Sequence, residues 1–210
     1  MRRLASLSGL LLLLITVAVL LYGCIAGRDI PPPLVTDLEV VRPDIRPEEN
    51  AYTFFTDVTN TLYWPADNEL VGNYLAGEET DPAEIAAVIA SNQAAFATNE
   101  KGLAWSICLP PEVTGFDTLM PYISEWLKVG RLLAAASRHA RNAHEYSRAA
   151  DYCVTSLRFA NLVRRDAESL LHYLVGTAIL HIGLNEVRDL AMEDDVPDPV
   201  RVHSAAAPRG

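Results

Sequence analysis

Cysteine is scarce in this chain. Its 210 residues hold only Cys24, Cys108 and Cys153, and no CxxC or cysteine–histidine spacing of a zinc site is among them. Glycine-rich loops that cradle phosphate are missing as well, and Ser124 lacks the glycine elbow of a hydrolase nucleophile. Acidic pairs such as Glu78-Glu79 and Asp194-Asp195 are immediate neighbours, which is not the arrangement of two carboxylates flanking a substrate. His139 and His144 flank a turn beside Arg138 and Arg141, without the acids a metal ion needs. No catalytic, metal or cofactor site is therefore expected, and the chain reads as non-enzymatic.

Positive charge is also in short supply. Lysine and arginine total 17 against 27 acids, a net charge of −10. The deficit is uneven: residues 29–127 carry a net −14, residues 128–165 a net +6 and residues 166–210 a net −5. Two readings of the basic segment stand. It packs beside an acidic one and the two neutralise each other, or it presents a basic face to an anionic partner such as lipid headgroups. Nucleic acid is disfavoured by the overall charge.

Long uncharged runs are not lacking. From Leu4 to Gly27 there are 24 consecutive residues without a charge, preceded by Arg2 and Arg3. As a helix this run is roughly 36 Å long, enough to cross a hydrocarbon core of about 30 Å. The positive-inside rule keeps Arg2 and Arg3 in the cytoplasm and sends the rest of the chain across. The expected location is a bacterial cytoplasmic membrane, single-pass, with the C-terminal domain outside. Leu21-Tyr22-Gly23-Cys24 resembles a lipobox, although Tyr22 is bulkier than that pattern's usual residue. An uncleaved anchor, a lipoprotein held at Cys24, and cleavage with release remain the three alternatives. On the far side of the membrane Cys108 and Cys153 are candidates for a disulfide, against the alternative of two buried thiols.

After the run, Pro31-Pro32-Pro33, Pro43 and Pro47 favour extended backbone, so residues 28–47 read as a stalk. Helical signals follow. Pro47 opens one helix, with Ala51, Phe54, Phe55, Val58 and Leu62 on its apolar face. A short helix spans about 67–76. Asp81-Pro82-Ala83-Glu84 has a cap, a first-turn proline and a glutamate three residues on, predicting one helix to about Leu103. Asp117 is expected to cap a helix reaching His139–Asn142, with Leu119, Tyr122, Ile123, Trp126, Gly130 and Leu133 on one face. A further helix from near His144 to Arg165 makes a hairpin with it. The last helix, about 166–192, is apolar nearly all round from Leu170 to Leu184, and Gly176 and Gly183 share a face for close approach. Residues 194–210 read as a disordered tail.

The fold expected is thus mostly α. A transmembrane or signal-anchor helix (1–27) and a proline-rich stalk (28–47) precede a bundle of about five helices (48–193). The hairpin 126–165 is tetratricopeptide-like in outline, without that repeat's glycine and tyrosine spacing or a second copy. Among reactive side chains, Glu168 and His172 lie four apart on one helix face, and Cys108 is a conceivable nucleophile. Both are more simply core residues. Trp105, in a loop, with Lys128, Arg131 and Arg138, forms the candidate ligand or partner surface, and a groove near Trp105 and Trp126 suits a lipid or small amphipathic molecule.

Three stretches, Pro47-Glu48-Glu49-Asn50-Ala51-Tyr52, the segment 116–133, and His172-Tyr173-Leu174-Val175-Gly176 with Ile179, resemble an uncharacterised group of membrane-anchored proteins from planctomycete and verrucomicrobial bacteria. The resemblance implies a bacterial source and an envelope location; no activity is known for the group, so it assigns no functional residue. A membrane-tethered helical scaffold or accessory subunit, with an envelope protein as partner, is the first functional expectation. A module for a lipid or amphipathic ligand is the second, and an enzyme using His172, Glu168 or Cys108 the third.

Overall fold

A computed structural model describes Thr16, Tyr22, residues 42–113, Gly115 and residues 119–197. The expected anchor, the lipobox cysteine Cys24 and most of the stalk lie outside the described residues. Two compact units divide the chain, Met1–Asp44 and Ile45–Gly210, and the seven helices named next belong to the second. Seven α-helices and no strand are found among the described residues: α1 (Ala51–Asp57), α2 (Leu70–Ala76), α3 (Pro82–Ser91), α4 (Gln93–Leu103), α5 (Tyr122–Asn142), α6 (Tyr146–Arg165) and α7 (Leu170–Ala191). The protein is a helical bundle.

Two asparagines shape its first half. Asn50 caps α1, its Oδ1 accepting from Tyr52 N at 3.1 Å. The same amide accepts from Leu109 N and donates to Leu109 O, at 2.9 and 2.8 Å. The cap therefore also clips the loop after α4 onto α1. Asn92 does similar work and overturns the expectation of one helix from Asp81 to Leu103. It is fully buried, with φ −101° and ψ 9°. Its Oδ1 accepts from Tyr63 N and its Nδ2 donates to the carbonyls of Tyr63 and Val88. A buried amide so fully paired outweighs the one helical bond lost where α3 gives way to α4.

The second half is a three-helix unit. Helices α5 and α6 form the expected hairpin, closed by His144 in the left-handed region at φ 58°. Glu145 N bonds Ala140 O and His144 N bonds Arg141 O, the two bonds of a Schellman turn, with histidine at the position that glycine usually takes. Helix α7 packs along both. A Cβ at Gly176 would lie 2.8 Å from Arg164 N, and one at Gly183 3.0 Å from Ser156 Oγ, so the close approach expected at these glycines is that of α6. The start of α7 is set by Ser169, whose side chain accepts from His172 N. The helix expected from about 166 thus begins four residues later, and Asp166 is bonded to Arg165 and to Cys108 N instead.

The core sits where α1 meets α5, α6 and α7. Trp126 is fully buried and donates to Phe55 O at 3.1 Å. Phe55 and Phe159 meet edge to face with ring centroids 4.7 Å apart, and burying each contributes roughly 2–3 kcal/mol. A smaller cluster at the hairpin end joins Ala140, Ala149, Ala150 and Leu190 to Val196. Val196 belongs to the segment expected as tail, and its packing carries the ordered chain past Asp194; residues 198–210 lie outside the described residues.

By length and composition α7 is also apolar enough to cross a membrane. It spans about 33 Å. In this structure Val175, Ile179 and Leu190 of that helix are buried against its neighbours.

Candidate functional site

The last two turns of α6 place Arg158, Asn161, Leu162 and Arg165 at intervals of three and four, hence on one helix face. Across from them, α4 ends at Leu103 and the chain turns through Trp105. Between lies a cleft of about 250 Å³ lined by Leu103, Trp105, Arg158, Leu162, Arg164 and Arg165. Its floor is apolar, since Leu103 and Leu162 are buried. Trp105 is exposed enough to receive a ligand, at 36%.

The rim is cationic. Arg165 forms two bonds to the Asp166 carboxylate, at 2.8 and 2.9 Å, and also donates to Ser106 O. Asp166 in turn accepts from Cys108 N at 2.8 Å, so this pair straps the loop 104–108 to the end of α6 and walls the cleft. Arg158 donates to Leu103 O at 2.7 Å, and Arg164 to Asn161 Oδ1 at 3.3 Å. Neither makes an ion pair among the described residues. Each holds its guanidinium by one neutral acceptor, leaving further donors for an anion.

Of the four surface residues expected from sequence, Trp105 lines this cleft. Lys128 lies elsewhere, bonded to Glu125 at 2.9 Å and over the Trp64 ring. Arg131 is exposed on α5. Arg138 is inside the molecule: it donates to Glu186 at 2.6 Å and to the carbonyls of Tyr74 and Leu75. Trp126, the other wall of the expected groove, is core. Sequence reasoning missed Arg158, Arg164 and Arg165 because it treated the positive segment as one; their spacing over the last turns of the helix was the available signal.

The remaining reactive groups are held apart. His172 is fully buried, with Nε2 2.9 Å from Tyr122 Oη and Nδ1 2.9 Å from Ser169 Oγ. Burial lowers its pKa, and the same desolvation raises that of Tyr122. Of the two readings of Cys108 and Cys153, a disulfide or two buried thiols, the structure has the second: both are free and buried. The two are seated at different places, Cys153 against Ser137 Oγ at 3.1 Å on the hairpin and Cys108 beside Asp166. Desolvation pushes the Cys153 thiol up to about 11. Desolvation, then the Asp166 carboxylate, raises Cys108 still further, so neither is a thiolate at neutral pH. Among the described residues no group of three or more histidine, cysteine or acidic side chains is placed to hold a metal ion.

No family model matches this chain, and neither a curated protein nor a solved structure does.

Proposed function

We propose that this chain is a membrane-tethered, non-enzymatic binding module of the bacterial envelope, whose helical domain takes an amphipathic anion. The observation that carries the reading is a single cleft in which Arg158 and Arg164, without an ion pair among the described residues, stand over Leu103 and Leu162 beside Trp105. The acidic head pairs with the guanidinium groups, and a short apolar portion lies on the leucines and the indole. A volume of about 250 Å³ is below that of a drug-sized pocket, which fits one chain segment or one ring. Of the expectations drawn from sequence, the cleft favours the ligand module over the scaffold. The uncharged run Leu4–Gly27 as tether and the tetratricopeptide-like packing of the α5–α6 hairpin are parts of this proposal.

Titration of the full chain in zwitterionic nanodiscs with octyl phosphate tests it, with empty discs as blank. One equivalent binds, and octyl glucoside, with the same tail and no charge, does not compete. Arg158→Gln combined with Arg164→Gln weakens binding by about tenfold or more. Equal affinity for the neutral analogue, or no loss in the double variant, defeats the reading.

A further inference from the structure

The outer side of α7 is a second surface. Leu170, Leu171, Tyr173, Leu174 and Leu184 are between 44% and 73% exposed, although the helix is packed on α5 and α6 along its other side. Residues 170, 174, 177, 181 and 184 fall within one stripe at 100° per residue. From Ser169 to Asn185 there is no aspartate, glutamate, lysine or arginine. In a chain of net charge −10, a leucine stripe interrupted only by Thr177 and His181 and free of acids is a departure from the rest of the surface.

At its N-terminal end Arg165 is paired with Asp166 and Glu168 lies just before Ser169, which leaves Arg164 as the arginine without an ion pair among the described residues. Arg164 and Arg165 line a shallow depression together with Ser169, Leu170 and Tyr173, and the same two arginines line the Trp105 cleft. The cleft and the stripe are therefore continuous through shared side chains. Tyr173 and Trp105, each with an apolar body and a polar edge, are residue types favoured at the boundary between lipid and water.

We infer that the outer face of α7 rests on an anionic lipid surface, with leucines dipping into the headgroup boundary and Arg164 on lipid phosphates. The arrangement is that of an interfacial helix, mainly apolar on one side and with Arg164 at its N-terminal edge to meet a lipid phosphate. A second copy of this chain fits less well. The five exposed side chains offer on the order of 500 Å², in the range of a functional patch and short of the roughly 800 Å² per partner of a standard protein interface. The inference does not depend on what the cleft binds, nor on the tether.

Lipid-borne quenching tests it on the full chain. In a Cys24→Ser background, with Cys108 and Cys153 buried, single cysteines are introduced by Leu174→Cys, Leu184→Cys or Glu79→Cys and labelled with an environment-sensitive fluorophore. The protein is mixed with vesicles of phosphatidylcholine and phosphatidylglycerol bearing a headgroup-proximal spin label. Labels at positions 174 and 184 are quenched and the label at 79, in the exposed α2–α3 loop, is not. Arg164→Gln lowers the ratio of quenched to unquenched chains at position 174 about fivefold, whereas Arg158→Gln, which disables only the cleft, leaves it unchanged. Three results overturn the inference: quenching at 174 no greater than at 79, quenching indifferent to phosphatidylglycerol, or a blue-shifted but unquenched label, which marks a protein contact instead.

Discussion

His172 illustrates how a single buried side chain ties stability to pH. Both ring nitrogens have hydroxyl partners in Tyr122 and Ser169, and the surrounding rings of Tyr122 and Trp126 supply no charge. Burial lowers its pKa below the ordinary 6.5. The unfolded chain therefore takes up a proton near that pH which the folded domain refuses. The stability this residue contributes is complete above pH 6.5 and is lost as the pH falls from there through the lowered folded value. His172→Gln preserves a donor and an acceptor but removes the titration. Urea midpoints measured from about pH 7.5 down to about pH 5.5 should fall less steeply for the variant than for the parent. Parallel curves would show that other groups carry the dependence.

At the scale of elements, the α6–α7 contact turns on Gly176. A Cβ there meets the backbone of Arg164 at 2.8 Å, while at Gly183 it meets Ser156 Oγ and Leu157 Cδ2, the ends of side chains that can turn away. Gly176→Ala should therefore cost about 1–3 kcal/mol, from forced separation of the helices. Gly183→Ala should lie within about 1 kcal/mol of the parent, since a gain in helix propensity offsets a mild clash. Equilibrium denaturation compares them, and equal losses would contradict the assignment of the tight crossing. The sequence revealed these glycines, the hairpin and the short helix ending at Gly77, because periodicity and capping are local. It did not reveal the break at Asn92, whose partner Tyr63 is 29 positions away. Nor did it place the start of α7 at Ser169: the expected start near 166 falls on Asp166, which is drawn off by Arg165 and Cys108. Trp105 was legible as an exposed aromatic, but its arginine neighbours depend on how α4 ends against α6.

For the whole molecule, the charge segregation seen in sequence resolves into three populations. Arg138 and Arg141 reach Glu186, Asp189 and Glu193 of the last acidic segment, while Lys128, Arg148 and Arg165 pair with Glu125, Glu145 and Asp166 close to them in sequence. Arg158 and Arg164, without an ion pair among the described residues, lie toward the C-terminal end of α6, where the cleft and the α7 stripe meet. The first set is structural: Glu186 is 3% exposed and Arg138 15%, and Arg138 also binds the last carbonyls of α2, joining three elements. Arg138→Met should destabilise the protein by roughly 3 kcal/mol, because it strands a buried carboxylate that Arg141, at 3.9 Å, only partly compensates. Adding Glu186→Leu should recover most of that loss, leaving a deficit from the α2 carbonyls of about 1 kcal/mol. If the double variant were as unstable as the single one, the ion pair would not be the source of the cost, and Arg138 would act through α2 instead. Neither substitution touches Arg158 or Arg164, so octyl phosphate binding by folded protein should stay at the parent value in both. That separation distinguishes the arginines that hold the bundle together from those available to a ligand.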